Sequence, residues 1–536
     1  MTTTATKVKD EPASTAETWS EILVVGAGFS GICAGIKLLE AGFSDFVIVE
    51  RADDVGGTWR QNHYPGLEVD VPSIGYSYSF EHRVGWKGPW APQPDVLKYA
   101  QNTARKYGLT SHLRYNKTVV EARFDDADNV WTTCFADGSV HRSRYVISGT
   151  GLTSTANWPK FEGIETFRGE LVHTTEWPDD YDMSGKRIAI IGTGATCIQL
   201  APELAKVAGK LSVFQRTPIW VSPKPGEDHE YSKPVRFLLD RVPGVQLTIR
   251  LIVMGLYAML FHRAFTHYWQ IKPVIHHLEK LGKANIAKVD NPEWRAALTP
   301  DYELGCKRPA WSNSYYPMFN RDNVELVTSS ITKITEHGIV TADGVEHPID
   351  VLICATGQQP FGKDTMPTFP THGLDGKELR HFWDVNRHQG VKGIAVNGFP
   401  NFFLVFGPHG SFAGSIIAMI EIEVTNIVTA LKVVRERGAN RIEADPEAQR
   451  KDFEKNNRLA RKGSILFQGN CATANTYYID RHGDTPMARQ TNQWLEWWRM
   501  KRLAKGDNMS AFNITKHSSP VPPRAARDRR TRVKVA

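Results

Sequence analysis

The sequence is poor in the features that frame disulfide-rich, metal-bound, membrane-spanning or nucleic-acid-binding proteins. Cysteine is scarce, with six in 536 residues (Cys33, Cys134, Cys197, Cys306, Cys354 and Cys471). None stands at the paired spacing of a zinc site or a redox dithiol, so no metal is expected, and reduced thiols in a cytoplasmic protein are the simplest account. Long apolar runs are missing too: the longest, Leu251 to Phe261, falls short of a bilayer-crossing length. Met1 to Ser20 has no apolar core, which speaks against an export signal. A charge excess is nearly absent. The formal net charge is +7, but from Lys516 to Ala536 seven Lys or Arg face the single Asp528. The body is therefore close to neutral, which removes nucleic acid as its partner.

What the chain does have is length and well-placed glycine. At 536 residues, with 41% hydrophobic and 23% charged residues, it suits two or three soluble domains. Twice it runs through strand, glycine turn, helix and strand. The first unit has Glu21 to Val25 as a strand, the turn Gly26-Ala-Gly28-Phe-Ser30-Gly31, an apolar helix, and the strand Phe46 to Glu50. Gly26 permits the tight turn, Gly28 lets a pyrophosphate approach the backbone, and Gly31 lets helix and strand pack closely. The helix N-terminus attracts the phosphates. The second unit repeats this from Arg187 to Ile191, through Gly192-Thr193-Gly194-Ala195-Thr196-Cys197, to the strand Leu211 to Gln215. Cys197 replaces the third glycine, so helix and strand there are expected to part slightly.

The two units differ at one decisive position. Glu50 stands 24 positions after Gly26, and Arg216 stands 24 positions after Gly192. A carboxylate favours an adenosine ribose with a free 2′-hydroxyl, whereas an arginine favours a 2′-phosphate. Between the units lies the linker Phe167, Gly169, His173, Trp177 and Pro178, and after the first comes the loop Gly57-Thr58-Trp59 through Tyr64-Pro65-Gly66 to Asp70. The linker spacing and this loop resemble those of the Baeyer-Villiger monooxygenases, flavoenzymes that insert one oxygen atom of O2 beside a ketone carbonyl.

The resemblance covers Glu21 to about Trp498 and implies an α/β fold of two Rossmann-like dinucleotide-binding domains with a helical insertion. It places FAD in the first unit, with Gly26, Gly28, Ser30, Gly31, Glu50, Thr58, Trp59, Asp70, Tyr76, Val119 and Ile416 about it. NADPH goes to the second, with Gly192, Thr193, Gly194, Ala195, Thr196, Arg216, Thr217, Lys307 and Arg308. In Gly305-Cys306-Lys307-Arg308-Pro309 the lysine supports the NADP phosphate and the arginine reaches the flavin. Arg308, oriented by Asp70, stabilises an anionic peroxyflavin and the oxyanion formed on a small-molecule ketone, since fixed charge in a dry site opposes developing charge. Met419 and Phe412 face either substrate or core.

The expected domains are a disordered leader 1–20, an FAD-binding domain over 21–155 and 390–510, and an NADP-binding domain over 156–230 and 301–389. A helical insertion covers 231–300 and a basic tail 511–536. Thr476 to Asp480 reads as a strand-like hairpin segment, and Trp494, Trp497 and Trp498 as a helix. The plainer reading of the insertion is a subdomain packed on the nucleotide domain. The sharper one is peripheral contact with a membrane surface, with Arg250, His262 and Arg263 at its polar edge and no stable insertion into the bilayer. Two other activities stay open: N- or S-oxygenation by a flavin monooxygenase, and flavin reduction by NADPH without oxygenation. The sequence sets no oligomeric state.

Overall fold

The computed structural model describes residues 17–152, 154–227, 229–358, 360–362, 365–410, 415–487, 489–491 and 509–518. Two sheets organise them, the first mixed and the second parallel. In the first, Glu17–Val25 lies between Phe46–Val49 and Val140–Ser148, parallel to both. Ile22, Leu23, Val24 and Val25 are all buried, the unbroken apolar run of a strand covered on both faces. Val140–Ser148 serves two layers: its first half pairs antiparallel with Val130–Phe135, and its end pairs parallel with Phe402–Leu404. The helices Phe29–Glu40 and Ile416–Glu436 pack together against this sheet.

The second sheet has five parallel strands in the order Val324–Val327, Lys210–Phe214, Arg187–Ile191, Val351–Cys354 and Glu170–His173. An antiparallel meander of Ile331–Ile334, Gly338–Thr341 and Glu346–Pro348 sits beside it. The expected pair of Rossmann-like units is therefore present. The linker supplies the edge strand of the second sheet. Gly169 is required there, because a Cβ would lie 2.4 Å from the Asp350 carbonyl oxygen.

Several boundaries differ from those read in the sequence. The first strand begins at Glu17, inside the expected leader, because Glu17 to Ser20 pair with Val140 to Ser143. The return to the first unit comes before residue 390: Thr371–His372 pairs with Val119–Asp125, and Phe361, Phe369, Leu379 and Trp383 belong to the first core. The start of the supposed tail forms a strand, with Phe512–Thr515 pairing antiparallel to Arg441–Ala444. Tyr477 and Tyr478 lie in a turn, not a strand. Phe412, Trp494, Trp497 and Trp498 lie outside the described residues.

The insertion forms the helices Lys233–Arg241, Val245–Thr266, Tyr268–Ile286 and Pro292–Leu298. Val245–Thr266 is longer than its apolar run suggested, since the flanking residues continue the helix. At 22 residues, with a mean hydropathy of 1.5 over its most apolar 18-residue stretch, it is long and apolar enough to cross a membrane by length and composition. Arg250 is not at a polar edge. It is buried against the first unit, where its Nη1 donates to the Ser77 hydroxyl at 2.7 Å. The thiol expectation also fails for one pair: Cys306 and Cys471 form a disulfide with a Cα–Cα separation of 5.3 Å.

Candidate functional site

The two glycine turns are built alike. Gly26 has φ +97°, and a Cβ there would lie 2.8 Å from the Gly149 carbonyl oxygen; Gly192 has φ +113°, with the Ala355 carbonyl oxygen 2.4 Å from the same point. Each turn thus backs onto the end of a second strand, and only glycine combines that φ with that approach. A Cβ on Gly31 would fall 1.8 Å from the Gly26 carbonyl oxygen, so helix and turn touch there. At the matching position Cys197 is wholly buried, and burial pushes its thiol up to about 12, which leaves it inert. Ser30 is buried beneath the turn, and Gly28 faces Gly57, with a Cβ there 3.4 Å from the Gly57 Cα. Neither helix has a side-chain cap at its N-terminus, at Gly28 or at Gly194, so both ends offer free amides to phosphate.

A cavity of ≈ 450 Å³ opens in front of Gly26, lined also by Glu50, Thr58, Lys117 and Val119. The buried Glu50 carboxylate accepts the backbone N–H of Ala27 at 2.7 Å and of Ala52 at 3.0 Å, which fixes it at the strand end. Thr58 also lines a central cavity of ≈ 420 Å³, together with Trp59, Asp70, Tyr76, His173, Arg308 and Ile416. Trp59 Nε1 donates to the Tyr76 hydroxyl at 2.8 Å, and burial raises the Tyr76 hydroxyl well above its ordinary range, keeping it neutral.

Asp70 and Arg308 meet in this central cavity, brought from opposite units. Arg308 Nε donates to Asp70 Oδ2 at 2.7 Å and Nη2 to Oδ1 at 2.8 Å, a two-pronged pair that fixes the guanidinium plane. The Asp70 charge first raises the Arg308 guanidinium above its already high range, against the opposing effect of burial. Half of the Arg308 side chain is nonetheless accessible. That surface lines both the central cavity and the cavity of the second unit.

A third cavity, of ≈ 810 Å³, belongs to the second unit. Its walls hold Gly192, Thr193, Gly194, Ala195, Thr196, Arg216, Thr217, Lys307 and Arg308, so every residue expected there converges. Thr193 Oγ1 donates to the Thr217 carbonyl at 2.8 Å and orders the turn. Burial first, then the positive charge of Arg216, push Lys307 down to about 8. Two cations raised against each other at the strand end form a site that a phosphate would relieve. The third and central cavities share Ala195, Thr196, Arg308, Gly357, Gln358 and Tyr477, so they adjoin at the guanidinium.

The linker touches both units. His173 lines the central cavity, and its Nδ1 pairs with the Thr175 hydroxyl at 2.8 Å. Burial lowers its pKa, with the Glu176 charge opposing, so the ring is neutral. The Trp177 carbonyl accepts from His63 Nε2 of the first unit at 2.9 Å, while its ring packs on the second core. Phe167 packs behind the second sheet, away from the cavities. The loop from Gly57 to Asp70 also bridges the units: Gln199 Nε2 donates to the Glu68 carbonyl at 3.0 Å. Sequence reasoning missed Gln358, Tyr477 and Tyr478 as cavity walls. The Thr356-Gly357 turn, which matches Thr150-Gly151 of the first unit, is a signal that could have found Gln358; nothing local marks the tyrosines.

Comparison with known proteins agrees with this geometry. The family described as pyridine nucleotide-disulphide oxidoreductase matches residues 23–233. A Baeyer-Villiger monooxygenase of Pseudomonas aeruginosa is 34% identical over 94% of this chain and 93% of its own. The closed crystal structure of a cyclohexanone monooxygenase superposes with a TM-score of 0.82 at 26% identity, covering 94% of this chain and all (100%) of that one. The OTEMO complex with FAD and NADP does so with a TM-score of 0.79 at 25% identity, covering 92% and 99%.

Proposed function

From the chain's membership of the Baeyer-Villiger monooxygenase family, we propose that it holds FAD along the first and central cavities and NADPH in the third, and inserts an oxygen atom beside a ketone carbonyl to give an ester or lactone. When bound, FAD supplies the hydride acceptor and the oxygen-activating group, and NADPH supplies the hydride. The residues fit both groups. Uncapped helix ends face each pyrophosphate, the Glu50 carboxylate suits a free ribose, and Arg216 with Lys307 suits a 2′-phosphate.

The observation that carries the reading is the Asp70–Arg308 pair at the junction of the cavities. A guanidinium cannot give up its charge in a protein, and here both its plane and its position are set before substrate arrives. It therefore opposes negative charge on oxygen as it develops, worth about 3–4 kcal/mol for a preorganised donor. Asp70 positions it through two parallel hydrogen bonds. His173 and Trp177 tie the two units and register the nicotinamide side against the central cavity.

Product analysis with cyclic, linear and aromatic ketones tests the reading and separates it from the alternatives. Esters or lactones formed in step with NADPH consumption are expected. Oxygenation confined to amines or sulfides, or hydrogen peroxide as the sole product across the panel, would contradict it.

A further inference from the structure

The insertion buries Phe265, Tyr268, Ile271 and Ile275 against the second unit but leaves a second set of apolar side chains outside. In the first half of Val245–Thr266 two polar residues point inward: Gln246 and Arg250 are buried, Gln246 Nε2 donates to the His82 carbonyl, and Arg250 bonds Ser77. Met254 rests on Gly75 of the same unit. The outward side is Leu251, Ile252, Leu256 and Met259, each between 47% and 57% exposed. An amphipathic helix on a globular protein shows the reverse order. Phe237 at 64% and Trp269 at 60% extend the apolar surface onto the helices before and after. Of the 19 large hydrophobic residues exposed among the described residues, 12 lie between Val235 and Leu281. Such a concentration marks an interaction surface, whereas scattered exposed apolar side chains do not.

Charge indicates what covers it. Between Lys233 and Ile286 there are eight Lys or Arg and two Asp or Glu, whereas the chain outside this segment and the basic C-terminal stretch is net acidic. Lys233, Arg241, Arg263, Lys280 and Lys283 are exposed. We propose that the helices Lys233–Arg241, Val245–Thr266 and Tyr268–Ile286 form a docking face for an anionic lipid bilayer, with the apolar side chains seated at the headgroup boundary and the basic ones on the phosphates. The long helix lies flat. Crossing the bilayer would tear Gln246 and Arg250 from their partners on the first unit and leave both unpaired in hydrocarbon. This inference stands apart from the proposed oxygenation and does not depend on it.

The test is flotation of the flavin-loaded full chain with vesicles of phosphatidylcholine, alone and mixed with phosphatidylglycerol. The chain is expected to float with the mixed vesicles at low salt and to be released by high salt. The double variant Phe237→Glu, Ile252→Glu should bind the mixed vesicles about tenfold more weakly or worse, with flavin reduction by NADPH and the far-ultraviolet spectrum unchanged. Sedimentation without lipid completes it, with a monomer expected for both proteins. No flotation with either vesicle, equal flotation of the variant, or a dimer that the variant dissociates would each overturn the proposal, the last by showing that a second copy covers the face.

Discussion

Lys307 offers a sharp handle on the third cavity, because its charge is not secure. Burial and Arg216 bring it down to about 8 in the free protein. A 2′-phosphate beside it favours the charged form and raises that value, so NADPH binding takes up a proton over the interval between the free and bound values. The sign follows: affinity for NADPH is highest when Lys307 is already protonated and falls as pH rises through 8. With a free value near 8, about nine-tenths of the lysines are charged at pH 7 and about one-tenth at pH 9, so the dissociation constant should weaken roughly tenfold across that span. The phosphate's own second ionisation, near about 6, is complete above pH 7 and adds nothing there.

Titration calorimetry of the anaerobic protein with its flavin already reduced, so that no hydride is consumed, with NADPH and with NADH, at several pH values and in buffers of differing ionisation heat, reads both affinity and proton uptake. NADPH should show the slope and the uptake; NADH, lacking the phosphate, should show neither. In Lys307→Met the slope should vanish, and NADPH should weaken at pH 7 by about ten- to a hundredfold, the loss of one charge-assisted hydrogen bond of about 1.5–3 kcal/mol. Arg216→Ala should weaken NADPH by a similar factor and leave NADH alone. An unchanged pH profile in Lys307→Met, or equal weakening of the two nucleotides in Arg216→Ala, would refute the reasoning.

Two further perturbations probe the frame around the site. His173→Ala and Trp177→Ala remove the ties between the units, so hydrogen peroxide released per NADPH should rise while flavin reduction persists; normal coupling in both variants would retire that role. Replacing Cys306 and Cys471 by serine removes a bridge spanning 165 residues, whose constraint on the unfolded chain is worth about 2–5 kcal/mol. A lowered thermal midpoint is expected, matched by reductant on the parent protein, and identical melting of the two would show that the thiols are unbridged.

The units themselves were legible because their signals are local: a φ above 90° at Gly26 and Gly192 is imposed within a few residues of sequence. The opposition of Glu50 and Arg216 was legible for the same reason. Asp70 and Arg308 are 238 positions apart, and only the resemblance joined them before the structure did. What stayed hidden depends on distant chain meeting distant chain. Thr371–His372 is two residues long and counts as a strand only because Val119–Asp125 receives it. Cys306 and Cys471 lie in loops that come together through tertiary packing alone. Arg250 sits amid an apolar run, and its burial is decided by a hydroxyl on the first unit that periodicity does not reveal.

The central claim is that a single fixed guanidinium at the meeting of the cavities supports oxygen insertion. Rapid-mixing spectroscopy of Arg308→Ala, with products from the same samples quantified, addresses it directly. NADPH should still bleach the flavin, oxygen should restore its colour with release of hydrogen peroxide, and ester or lactone should fall by about a hundred- to a thousandfold. Ester or lactone formed at the parent's yield by that variant would contradict the account.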